Sequence, residues 1–88
     1  MFQGQLNLDD VTAVEQAASG DVLYELGLLY ASGRLGAVDL VAAHKWFNLA
    51  ALKGRKDAIE MRREIAEQMS AAEITKALRE ARAWMTAH

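Results

Sequence analysis

The chain has 88 residues, a formal net charge of −2 and 52% hydrophobic residues, with neither cysteine nor proline. That length makes one small domain, burying roughly 60–65% of the surface its unfolded form would expose, and the composition is that of a globular protein rather than a disordered one. Disulfides and thiolate metal sites are excluded, which fits a reducing cytoplasm, and the slight acidity argues against general affinity for nucleic acid.

Met1 to Leu8 reads as an extended arm, because Phe2, Leu6 and Leu8 alternate with polar residues or glycine. The same N-terminus has no basic segment and no long apolar run, so neither a secretory signal nor a membrane anchor is expected there. Asp9 or Asp10 can cap a first helix that ends near Ser19. Ser19-Gly20-Asp21 breaks it and opens a second helix, Gly20 to Ser32, which is apolar nearly all round. Only Asp21, Glu25 and Ser32 mark a polar strip. Such a helix needs neighbours on most sides.

Gly33 to Val38 is a turn with two glycines, suited to positive φ. Asp39 is a good N-cap for a third helix with Ala43, Trp46, Phe47, Ala50 and Ala51 on one broad face. Gly54 stops that helix. A fourth helix, about Lys56 to Gln68, carries Ala58, Met61, Ile65 and Met69, helped by Ile59 and Ala66. Ser70-Ala71-Ala72-Glu73 is a capping box. It opens a last helix whose buried side is expected to be Ile74, Ala77, Leu78, Ala81 and Met85, with Trp84 at the edge. The expected architecture is all-α: five antiparallel helices joined by short turns.

Residues Val22 to Ala58 resemble a Sel1-like repeat, a relative of the tetratricopeptide repeat. Val22, Tyr24, Leu26, Gly27, Tyr30 and Gly33 stand in register with the first half of its pattern, and Asp39, Ala43, Trp46, Phe47, Ala50, Ala51, Gly54 and Ala58 with the second. The chemistry of those positions makes sense without the family. Gly27 lets another backbone come close, Ala50 and Ala51 do the same from the partner helix, and the two aromatics fill the space between. The turn departs from the pattern at Leu35 and Gly36, and Arg62-Arg63 occupy the Leu-Gly positions of a second unit. The resemblance therefore implies one complete repeat, residues 20–54. Before it stand a partial-repeat helix over 9–19 and the arm over 1–8. A degenerate repeat with capping helices follows over 55–88, since helical arrays need closed ends.

Candidate chemistry is sparse. His44 has no second histidine and no carboxylate three or four residues on, so it reads as a packed or edge residue rather than a ligand. His88 is terminal. Glu60, Glu64 and Glu67 line one helix and read as a solvated face balancing Arg63 and Lys56. No phosphate-cradling loop is present, because Gly33-x-x-Gly36 lacks the strand, lysine and hydroxyl it would need. Lys53, Arg55, Lys56, Arg62 and Arg63 form a basic cluster without interleaved aromatics, suited more to an acidic protein segment than to nucleic acid. Val41, Leu49 and Leu52 lie opposite the Trp46–Ala50 face, as a partner patch or as a surface that a neighbouring helix covers.

The resemblance implies a bacterial, cytoplasmic protein–protein interaction module, an adaptor, scaffold or small regulatory subunit, with no catalysis, cofactor or metal. In such families the inner helices commonly take the partner, which here means Tyr24, Glu25 and Leu28 with Arg62 and Arg63. Self-assembly into a homo-oligomer through the N-terminal arm, by arm exchange, or through the exposed repeat ends is the alternative. From Met1 to Gly33 the charged residues are all acidic (Asp9, Asp10, Glu15, Asp21, Glu25), and from Arg34 onward basic residues outnumber acidic ones, a polarity that reads first as solvated helix surface and otherwise as a means of steering a partner or favouring head-to-tail contact between copies. An enzyme or small-ligand binder is the third reading and would require a pocket with convergent polar groups.

Overall fold

A computed structural model describes residues 19–87. The predicted arm, the first predicted helix and His88 lie outside the described residues. Among those described, all regular structure is helical: α1 (Gly20–Ser32), α2 (Leu40–Leu52), α3 (Asp57–Ala66) and α4 (Ala71–Ala87).

The ends of these helices follow from local chemistry. The Ser19 hydroxyl accepts from the Val22 N–H at 3.4 Å and starts α1. Gly33 ends it at φ 77°, and its N–H donates to the Leu29 carbonyl, a conformation that costs a side-chain-bearing residue far more. The turn keeps its closure despite Leu35 and Gly36. The Asp39 N–H donates to the Tyr30 carbonyl at 3.0 Å, while its carboxylate accepts from the Ala42 N–H at 3.0 Å and caps α2. Ser70 and Glu73 form the reciprocal capping box, at 3.1 and 2.8 Å.

Packing centres on α2. It lies against each of the other three helices, whereas those three touch one another only marginally. Packing of chain neighbours therefore runs through α1, α2 and α3 and stops at α4, which packs on α2 instead. The helices α3 and α4 are consecutive in the chain but do not pack along one another. Each presents small residues to α2: Ala58 from α3, Ala77 and Ala81 from α4, all fully buried. Small side chains let the helix axes come close, and a helix of thirteen residues has room for one neighbour on each of three sides.

Two details differ from the sequence expectation. What lies nearest to Gly27 is a side chain rather than a backbone. It is the ring of Phe47, and a Cβ on Gly27 would stand 2.5 Å from Phe47 Cε1. The close backbone approach is made instead by Gly20, whose Cβ position lies 3.3 Å from the Ala50 carbonyl oxygen and 3.2 Å from Arg55 Cβ. On α4 the buried side is rotated. Leu78 and Met85 are exposed, while Trp84 turns inward and sets its ring edge-on against Trp46 at 5.9 Å. The alanine pair brings α4 near enough for Trp84 to reach Trp46, and that contact fixes the rotation.

The Gly27 notch gives a signed prediction. Alanine in place of glycine within a helix ordinarily stabilises by about 1 kcal/mol, but overpacking a filled core costs about 1–3 kcal/mol. Gly27→Ala should therefore be net destabilised in urea unfolding, and pairing it with Phe47→Leu should recover part of the loss. A Gly27→Ala protein more stable than wild type would contradict the packing.

Candidate functional site

At the end of the molecule where α1 begins and α2 ends, Arg55 ties three elements together. Its Nη1 donates to Asp21 of α1 at 2.9 Å, and its Nε and Nη2 both donate to the Asp57 carboxylate at the start of α3. The guanidinium carbon lies 4.0 Å from the centre of the Tyr24 ring, whose other neighbour is Phe47 at 5.6 Å. The hydrogen bond from Arg55 holds the Asp57 carboxyl below its usual range, and hydrogen bonding to Asp57 first and Asp21 second raises Arg55. A planar fork over an aromatic face is a task for arginine rather than lysine.

The predicted partner residues are distributed over two helices. Glu25 and Arg63 are exposed, with Arg63 3.2 Å from Glu60 on its own helix. Tyr24 is half-buried between Phe47 and Arg55. Leu28 is half-buried against the core, and Arg62 donates to the Asn48 side chain of α2. Because α1 and α3 meet only marginally, these five stand on two separate helices, and none of them lines either hollow. The basic cluster divides in a similar way. Arg55, Arg62 and Arg63 each have a polar side-chain partner, and Lys53 and Lys56 are exposed. Glu60, Glu64 and Glu67 are exposed, as expected of a solvated face. The predicted Val41, Leu49, Leu52 patch splits: Leu49 is fully buried, Val41 is half-buried and Leu52 stands 62% exposed.

One hollow is not expected from the sequence. An open groove of about 590 Å³ lies at the opposite end, where the α1–α2 turn meets the start of α4. Tyr30, Leu35, Val38 and Leu40 give it an apolar lining, and Asp39 and Glu73 are its charged residues. The signal was in the sequence: Leu35, Ala37 and Val38 put apolar residues in a turn, where polar ones are usual. A second hollow of about 240 Å³ joins Ser19, Gly20 and Asp21 to Lys53, Gly54 and Arg55.

Among the described residues no three histidine or acidic side chains are placed to hold a metal ion, and no helix is long and apolar enough to cross a membrane. Compared with protein-family models, curated proteins and solved structures, the chain matches none.

His44 lies on α2, only 4% exposed, and its Nδ1 has no hydrogen-bond partner. Burial, and then the nearby positive charge of Arg62 on α3, lower its affinity for a proton. The unfolded chain takes that proton near pH 6.5, the folded chain only at lower pH. Between the two values the unfolded state binds more protons, so stability is full above about pH 6.5 and is lost as pH falls. Chemical denaturation from pH 7.5 to 5 should show this decline, and His44→Leu should flatten it over that range. An unchanged slope in the variant would show that another group carries the effect.

Proposed function

We propose that the chain is a Sel1-like helical-repeat module that binds another protein, as an adaptor, scaffold or small regulatory subunit without catalysis of its own, in the cytoplasm of a bacterium. The packing of the repeat positions carries this reading. Gly27, Ala43, Trp46, Phe47, Ala50 and Ala58 are all buried, and they lie in α1, α2 and the start of α3, the span of one repeat and its junction with the next. Burial at these positions supports the reading, because a repeat pattern of small and aromatic residues needs them between helices. A module of this kind presents apolar anchors with a charged rim. Tyr24, Glu25, Leu28, Arg62 and Arg63 are the surface proposed here, with Leu28 as an anchor and Glu25 and Arg63 as its charges.

Tyr24 and Arg62 also support the fold, so the exposed pair is the better probe. Glu25→Arg combined with Arg63→Glu should leave the helical content and unfolding midpoint unchanged. It should weaken capture of the native partner about tenfold or more, equivalent to about 1.4 kcal/mol. Retention of every specific partner by that variant would remove the surface from consideration.

A further inference from the structure

The two ends of the molecule are complementary. The groove end offers an apolar lining whose charged residues are both acidic. Leu35 is 57% and Val38 55% exposed there, and Asp39 and Glu73 are held in place because each caps a helix. In both caps a single carboxylate oxygen accepts the backbone N–H, Asp39 Oδ1 from Ala42 and Glu73 Oε1 from Ser70. Both residues are exposed at the rim. The other end offers the converse. Leu52, at 62%, is the most exposed large apolar residue of the described chain. Lys53 follows it directly and Lys56 stands one short turn further on, both exposed. The two features cannot meet within one molecule. Leu40 lines the groove and Leu52 closes the same helix, so the length of α2, about 20 Å, separates them.

We infer that the groove takes the Leu52–Lys56 corner of a second copy of this chain, building a head-to-tail assembly. Leu52 enters between Leu35, Val38 and Tyr30, and Lys53 and Lys56 face Asp39 and Glu73. This rests on the proposed function in its broad form, protein binding, and names one partner, using a surface other than Glu25 and Arg63. The contact is heterologous. Every open assembly keeps one groove free at one end and one corner free at the other, so association continues past the dimer unless a ring closes. Its two lysine–carboxylate pairings make it sensitive to salt.

The test uses the whole chain in sedimentation equilibrium. Wild-type protein should show a weight-average mass that rises with concentration and falls back as salt is raised from about 0.05 to about 0.5 M. Leu35→Arg blocks the groove, and Leu52→Glu with Lys53→Glu blocks the corner. All three positions are exposed, so circular dichroism should be unchanged. Each blocked protein alone should associate about tenfold more weakly or not at all. Their mixture should give a 1:1 dimer and nothing larger, because one intact groove and one intact corner remain.

Wild-type protein monomeric up to about 1 mM, the affinity scale of the weakest specific contacts, would overturn the inference. So would a blocked variant that associates like wild type, or a mixture that stays monomeric. A monomer whose groove binds an apolar–basic peptide from another protein would assign the groove to that peptide and overturn it too. A monomer that still captures a partner through Glu25 and Arg63 would overturn only this inference and leave the proposed function standing.

Discussion

The ring of Phe47 seated in the notch at Gly27 determines how close α1 and α2 can lie. No other residue type at position 27 leaves room for the ring, because even a methyl group would come within 2.5 Å of it. With the ring in place, Tyr24 packs on Phe47 and Arg55 packs on Tyr24. Arg55 in turn reaches Asp21 and Asp57. One aromatic side chain thus connects the interior of the helix pair to a polar clasp on its surface. The clasp also orients the start of α3, since Asp57 is its first residue.

The remaining helices depend on α2 rather than on each other. Trp46 receives Trp84 from α4, and Asn48 receives Arg62 from α3. The buried cluster draws on all four helices, with α2 supplying Ala43, Trp46, Phe47, Leu49 and Ala50. A helix surrounded in this way has little tolerance for polarity, and His44 is the exception. Its imidazole shares the interior with these residues, and burial first and the charge of Arg62 second lower its affinity for a proton, which links the most buried helix to solvent pH. The ends of the bundle behave differently. There the α1–α2 turn leaves Leu35 and Val38 in water, and the last residue of α2, Leu52, is exposed as well.

Much of this was legible in the sequence, and the failures have identifiable causes. Helix limits could be read because capping is local: Ser19, Asp39, Gly54 and the Ser70–Glu73 box each act within a few residues. Burial of Ala43, Trp46, Phe47 and Ala50 could be read because period and residue size agreed. The rotation of α4 could not. Leu78 and Trp84 are both apolar, and which of them faces inward depends on the distant Trp46. Nor could the partner of Gly27 be read, because a glycine signals a close approach without saying what approaches. The five proposed partner residues were chosen by position in a repeat. Their side chains are divided between core contacts and solvent by Arg55 and Asn48, which lie on other elements. The groove at Leu35 and Val38 is not legible in the sequence, because apolar turn residues look like a local irregularity until α4 stands beside them.

Because α1, α3 and α4 each lean on α2 and hardly on one another, any one of them can detach alone, while α2 cannot be exposed without releasing all three. Native-state hydrogen exchange reads this directly. The slowest amides should lie between Ala43 and Ala50, with opening free energies equal to that of global unfolding by denaturant, and those of α4 should open at lower cost. If α2 exchanged as readily as α4, or if α3 and α4 were protected together beyond α2, the central helix would not be what holds this fold.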